Sequence, residues 1–163
     1  KRQAQDGDSV GTIGLLNVSG GSINVVPGRC QFSLDLRAPT DPQRDALVRD
    51  VLDHLGQIAA RRGLRYTLEE SMRAAAAPSA PALQHHWERA VDHLGVPVFR
   101  MPSGAGHDAM KLHEIMPQAM LFVRGENSGI SHNPLESTTN NDMQLAVDAF
   151  TQVLHQLAEE QQP

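Results

Sequence analysis

The sequence predicts an α/β (α+β) chain: a partial antiparallel sheet with helices on one face, followed by part of a mostly parallel α/β domain. Three features carry that expectation. Cys30 to Arg37 alternates, with Cys30, Phe32, Leu34 and Leu36 on one face and Gln31, Ser33, Asp35 and Arg37 on the other. That is the period of a half-buried strand. Ala119-Met120-Leu121-Phe122-Val123 shows no polar alternation, as in strands buried on both faces of a parallel sheet. Between such segments, apolar residues recur at helical spacing.

Gly11 to Val18 reads as the first strand, ended by Gly20-Gly21. Pro27-Gly28 fits a type II turn, whose third position favours glycine. After the alternating strand, Asp41 is expected to cap a helix with Pro42 at its first position. Leu47, Val48, Val51, Leu52, Leu55, Ile58 and Ala59 form its stripe. Arg61 and Arg62 suit its negative end, and Gly63 stops it. Leu64 to Glu70 alternates again as a third strand.

Arg73 to Pro81, rich in Ala and Pro, reads as an interdomain connection. It divides the chain into 1–75, a linker at 76–82, and 83–163. The next helix turns Leu83, Trp87, Ala90, Val91 and Leu94 inward and stops at Gly95. A short strand, Val96 to Phe99, leads to the loop Met101-Pro102-Ser103-Gly104-Ala105-Gly106-His107-Asp108-Ala109-Met110. A helix is expected from about His107 to Ile115. The strand 119–123 then precedes the loop that carries His132. Thr139-x-x-Asp142 opens the last helix as a variant capping box. Its stripe is Met143, Ala146, Val147, Phe150, Val153, Leu154 and Leu157.

Composition narrows the function. The 163 residues are 40% hydrophobic and 20% charged, which suits a folded chain. A net charge of −5 without a basic cluster argues against nucleic acid as a partner. No apolar run approaches the roughly 18 residues of a membrane span. The single Cys30 allows no intrachain disulfide and suits a reducing cytoplasm. Lys1 is no initiator methionine, and no apolar region of a signal peptide follows it. The chain therefore reads as beginning inside a longer protein.

Ligands of open α/β sheets gather beyond the carboxyl ends of the strands. The two loops bearing Gly106-His107 and His132 are therefore expected at one sheet edge. His132, with Glu136 four residues on, stands where a metal ligand would. Gly104-Ala105-Gly106 offers bare backbone to a ligand, or simply turns into a helix. The Arg37 fork matches a carboxylate bidentately, or makes a surface ion pair with Asp35 or Asp41. Asn24 offers a donor and an acceptor to an amide- or ureido-like group, or serves a turn. His54, His85, His86, His93, His113 and His155 are assigned no function.

Four phrases together carry a resemblance. They are Gly11-Thr12-Ile13-Gly14; Asn24-Val25-Val26-Pro27-Gly28 with Phe32 to Arg37; Ser103 to Ala109; and Gly129-Ile130-Ser131-His132-Asn133-Pro134-Leu135-Glu136. In order and content they resemble the C-terminal part of the amidase/hydantoinase/carbamoylase branch of the dinuclear-metal exopeptidase superfamily. That branch includes N-carbamoyl-L-amino acid hydrolases and allantoate amidohydrolases. The resemblance implies a catalytic domain holding two divalent metals (Zn, Mn, Co or Ni) and an inserted lid domain that forms a homodimer contact. Residues 1–75 would be most of the lid, and 83–163 the C-terminal portion of the catalytic domain. His132 would ligate one metal. Asn24, Arg37, Gly106 and His107 would bind a small carboxylate-bearing ureido or amide substrate.

The family's His-x-Asp motif, its acidic pair with the general base, a second histidine ligand and the lid histidine would all precede Lys1. Hydrolysis by a metal needs several ligands and a base, so no complete catalytic set is expected here, and at most one metal weakly held. The competing reading is a non-catalytic remnant that binds a small acid or pairs with another chain through an open sheet edge.

Overall fold

The computed structural model describes residues 7–160. They divide into two compact units. One comprises the described residues through Ala76 together with Pro102–Gly106; the other comprises Ala77–Met101 and the residues from His107 onward. Among the described residues, the fold combines helices with two small antiparallel sheets, an α/β fragment as expected.

In the first unit, the expected strands 11–18 and 30–37 are each broken in two. β1 (Val10–Thr12) pairs with β4 (Asp35–Arg37), and β2 (Leu16–Val18) pairs with β3 (Cys30–Phe32), both antiparallel. Between the two ladders, Ile13, Gly14 and Leu15 stand opposite only Ser33 and Leu34. The extra residue is a bulge, which breaks a ladder and re-aims the strand beyond it. Ser33 spans the break: its N–H donates to the Leu15 carbonyl at 3.0 Å, and its Oγ accepts the Leu15 N–H at 2.9 Å. The alternation survives past the bulge, with Leu34 and Leu36 half-buried and Asp35 and Arg37 exposed.

The chain reverses at Ser22–Val25, where the Val25 N–H reaches the Ser22 carbonyl. The expected type II turn at Pro27-Gly28 is not formed. Gly28 is not among the residues with positive φ, which that turn requires of its third residue. Leu64 to Glu70 is not a strand either: it finds no ladder partner among the described residues, and Leu64, Tyr66 and Leu68 stay exposed.

α1 (Asp41–Arg62) is capped by Thr40, one residue before the expected Asp41. Asp41 instead accepts from Arg44 and from the Ala76 N–H. Arg44 also donates to the Ala74 carbonyl, and Arg73 pairs with Asp45 and Glu70. The start of the expected linker is thus pinned to α1. Gly63, at φ +63°, closes the helix as a left-handed cap, a conformation glycine adopts without a Cβ penalty. Leu47 and Ala59 are the buried residues of its stripe.

In the second unit, α2 (Pro81–His93) packs on α4 (Asn140–Glu160). α2 begins at Pro81, inside the expected 76–82 linker, and Gly95 at φ +69° follows its end. Thr139 caps α4 as expected: its Oγ1 accepts the Asp142 N–H at 3.0 Å and donates to the Asp142 carboxylate at 2.6 Å. The core is small. Ala90, Ala149 and Val153 are buried, with Trp87, Leu94, Leu121 and Leu157 packed around them. Two alanines at the crossing let the helices approach closely. α4 is consequently rotated from its expected stripe: Met143, Val147, Phe150 and Leu154 remain exposed. Phe150 nonetheless stacks on Trp87, with ring centroids 5.9 Å apart.

The segments expected as parallel strands, 96–99 and 119–123, form no ladder among the described residues. Phe122 and Val123 are exposed, whereas Leu121 packs on the helical core. No sheet edge therefore gathers the two histidine loops. Helix α3 (Ala109–Leu112) is shorter than the expected 107–115. Beyond it, three-residue bonds from Glu114 and Ile115 are mixed with a four-residue bond from Met116 to Leu112, ahead of Pro117, which disfavours helix in the residue before it. Among the described residues, no helix is long and apolar enough to cross a membrane.

Candidate functional site

β4 delivers Arg37 to the exposed side of the hairpin. Its Nε and Nη2 donate to the two oxygens of Asp35 at 2.8 and 2.7 Å, and its Nη1 donates to the Gly104 carbonyl at 2.7 Å. The surface ion pair weighed from the sequence is therefore made, with Asp35 and not with Asp41. Asp35 holds Arg37 above the ordinary guanidinium range through that hydrogen bond, and Arg37 holds the Asp35 carboxyl below its ordinary range. A guanidinium has five N–H donors. With Nε and one hydrogen of each terminal nitrogen spent, one N–H remains on Nη1 and one on Nη2. Both are left for an incoming acceptor such as a carboxylate oxygen.

The glycine loop meets Arg37 at Gly104, not at Gly106. Ser103 Oγ accepts the Ala105 N–H and so folds the loop back on itself. A Cβ at Gly104 or Gly106 would meet no atom within 4 Å, so both backbones are open to an approaching group. Asn24 lies in the turn after β2, where its Oδ1 accepts from Ser22 Oγ at 3.2 Å. No hydrogen bond joins it to Arg37 among the described residues. Asn24, Arg37 and Gly106 belong to the first unit, and His107 and His132 to the second.

His107 begins the turn into α3, its carbonyl accepting the Met110 N–H. Its ring Nδ1 is buried without a hydrogen-bond partner among the described residues, an arrangement that costs free energy unless something answers it. The helix starts two residues after His107 and spans one turn.

His132 has φ +54°, with Asn127 and Ser128 of the same loop at +51° and +64°. Each such non-glycine residue costs on the order of 1–3 kcal/mol, and such strain clusters at functional sites. The His132 N–H donates to Glu136 Oε2 at 2.8 Å, while its imidazole is exposed and makes no hydrogen bond among the described residues. As a metal donor the ring therefore fits one position of a coordination shell. Among the described residues no group of three or more His, Cys, Asp and Glu side chains could hold a metal ion, so the full shell is not formed by them.

Three polar partners escaped the sequence reading: Gly104 as acceptor from Arg37, Glu136 as acceptor from the His132 amide, and the buried His86. The last lies between α2 and α4, 2.8 Å from Arg89 Nη2, 3.0 Å from Gln156 Oε1 and 3.3 Å from Glu160. Its spacing with Ala90 on α2 was the available signal. A cavity of about 460 Å³ lined by Pro78, Pro81, His113, Met116 and Pro117 holds none of the expected site residues.

The family model for peptidase family M20/M25/M40 matches residues 5–156. The chain belongs to that family. This M20/M25/M40 chain is 37% identical over 153 residues to the N-carbamoyl-L-amino acid amidohydrolase of Geobacillus stearothermophilus, covering 94% of the chain and 37% of that protein. It is 33% identical over 148 residues to the allantoate amidohydrolase of Bacillus subtilis, covering 90% of the chain and 35% of the relative. It superposes on an amidase of the hydantoinase/carbamoylase family from Burkholderia multivorans with TM-score 0.85 and 32% identity, covering 90% of the chain and 35% of that structure. The resemblance to the amidase/hydantoinase/carbamoylase branch therefore holds. The M20/M25/M40 chain spans little more than a third of the length of these relatives.

Proposed function

We propose that the chain is the carboxylate-gripping and single-metal-ligand portion of a metal-dependent amidohydrolase acting on N-carbamoyl-L-amino acids, allantoate or a related ureido acid. The observation that carries the reading is the Arg37 guanidinium, pre-oriented by Asp35 and Gly104 with one N–H left on each terminal nitrogen. Preorganised donors of this kind lose little entropy on binding. Relatives named for carbamoyl amino acid and allantoate hydrolysis support the substrate class.

Asn24 keeps its Nδ2 for the ureido carbonyl, and the open Gly106 backbone and the His107 ring line the substrate. His132 supplies one ligand to a divalent metal (Zn, Mn, Co or Ni), which in such enzymes activates the attacking water. The chain by itself holds at most one metal, weakly, and turns over nothing. Its compartment is the cytoplasm, in keeping with the unpaired Cys30. A homodimer forms through the hairpin unit, whose Val10, Ile13, Leu15 and Leu16 are exposed apolar residues of the kind that mark association surfaces.

The test is ammonia release from N-carbamoyl amino acids and allantoate with each metal supplied. It is run on the chain alone and on a chimera in which the chain replaces the matching stretch of the Geobacillus stearothermophilus enzyme. The chimera is expected to release ammonia and the chain alone none. Metal-dependent turnover by the pure chain overturns the proposal.

A further inference from the structure

We propose that Glu136 is a positioning residue for His132: its carboxylate grips the backbone amide and so fixes the direction of the imidazole. The inference rests on the reading of His132 as a metal ligand and deepens it. A histidine at φ +54° aims its side chain differently from one in the ordinary extended or helical regions, so releasing that backbone re-aims the ring. The hydrogen bond that the His132 N–H donates to Glu136 Oε2 at 2.8 Å is charge-assisted, the stronger class.

The loop around this clasp is closed on itself. The Glu126 N–H donates to the Ser137 carbonyl, and Ser137 Oγ donates back to Glu126 Oε2. Asn127 Nδ2 donates to the Leu135 carbonyl at 2.7 Å. Asn133 caps the turn from inside, accepting the Leu135 N–H on its side chain and the Glu136 N–H on its carbonyl. Every one of these bonds is spent on the loop's own shape, whereas the His132 ring is spent on none. Such a frame presents one donor outward. Oε2 of Glu136 is committed to the amide, the part of a group that holds a ligand in place.

The experiment uses the isotope-labelled chain, its Glu136→Gln, Glu136→Ala and His132→Ala variants, and cobalt(II) chloride as the probe. NMR reads the His132 amide proton and the paramagnetic broadening of each histidine ring. In the wild type the His132 amide is expected downfield and slow to exchange, and its ring is broadened at lower cobalt than any other. Glu136→Ala should lose the amide signature and raise the half-broadening concentration about tenfold. Glu136→Gln keeps an acceptor oxygen and should stay close to wild type in both. An unchanged amide and unchanged cobalt response in Glu136→Ala overturns the proposal. So does a Gln variant that keeps the amide signature but loses cobalt, which makes Glu136 a direct ligand. A wild-type His132 ring indifferent to cobalt, with its amide signature intact, overturns the metal reading itself. The α4 resonances report whether either Glu136 variant is folded.

Discussion

Arg37 and Asp35 lie on one face of one strand, two residues apart, and meet through two parallel hydrogen bonds of 2.8 and 2.7 Å. The pairing is local, so it forms as soon as β4 does. It leaves one N–H of Nη2 and both of Nη1, and the Gly104 carbonyl takes one of the Nη1 pair.

Acid should weaken this chain through a small set of such pairs. Asp35, Asp45, Glu70 and Glu88 are each held below the ordinary carboxylate range, chiefly by hydrogen bonds from Arg37, Arg44, Arg73 and Arg100. A carboxylate with a lowered folded pKa adds stability that is present above its unfolded value and lost as pH falls through the folded one. The melting temperature should therefore stay level through neutrality and fall below about pH 4. These are exposed pairs, so each contributes little and salt should blunt the decline. A melting temperature that rises on acidification contradicts the assignment.

The two threonine caps should differ in strength. Thr139 accepts the Asp142 N–H at 3.0 Å, whereas Thr40 accepts the Gln43 N–H at 3.4 Å. Thr139→Ala should cost about 1 kcal/mol and Thr40→Ala distinctly less. Urea titration of the two variants compares them directly, and equal losses would show that the longer bond is no weaker.

Ala90 is fully buried where α2 crosses α4, beside Ala149. Ala90→Leu must push the helices apart and should cost about 1–3 kcal/mol. Val147→Ala, on the exposed side of α4, should cost far less. Thermal melts of both variants check the order, and its reversal would place Val147 in the core.

Much of this was legible because helix signals are local. Gly63, Gly95 and the Thr139-Asp142 pair marked helix ends within a residue or two. What failed was non-local. The expected α4 stripe included Val153 and Leu157, which do meet the core, but it also took Met143, Val147, Phe150 and Leu154, which stay exposed, and it missed the buried Ala149. The bulge opposite Ser33 depends on register between distant segments, and no single strand announces it. Segments 64–70, 96–99 and 119–123 have strand composition, yet a ladder needs a partner that local pattern cannot supply. At the candidate site Arg37 and His132 stood out by type and position. The left-handed backbone of His132 did not, since a positive φ is readily guessed only at glycine.

The carboxylate grip of Arg37 is the centre of the functional account, and one ratio tests it. The measurement is kcat/KM of the active chimera and its Arg37→Lys variant, on an N-carbamoyl amino acid and on the same compound with its carboxylate replaced by a neutral amide. Lysine cannot reproduce the paired bonds. The variant should lose on the order of 2–3 kcal/mol, roughly 30- to 150-fold, on the carboxylate substrate, mostly in KM. It should lose far less on the amide, with a melting temperature close to the parent's. An equal loss on both substrates would contradict the account and leave Arg37 as the structural partner of Asp35 and Gly104.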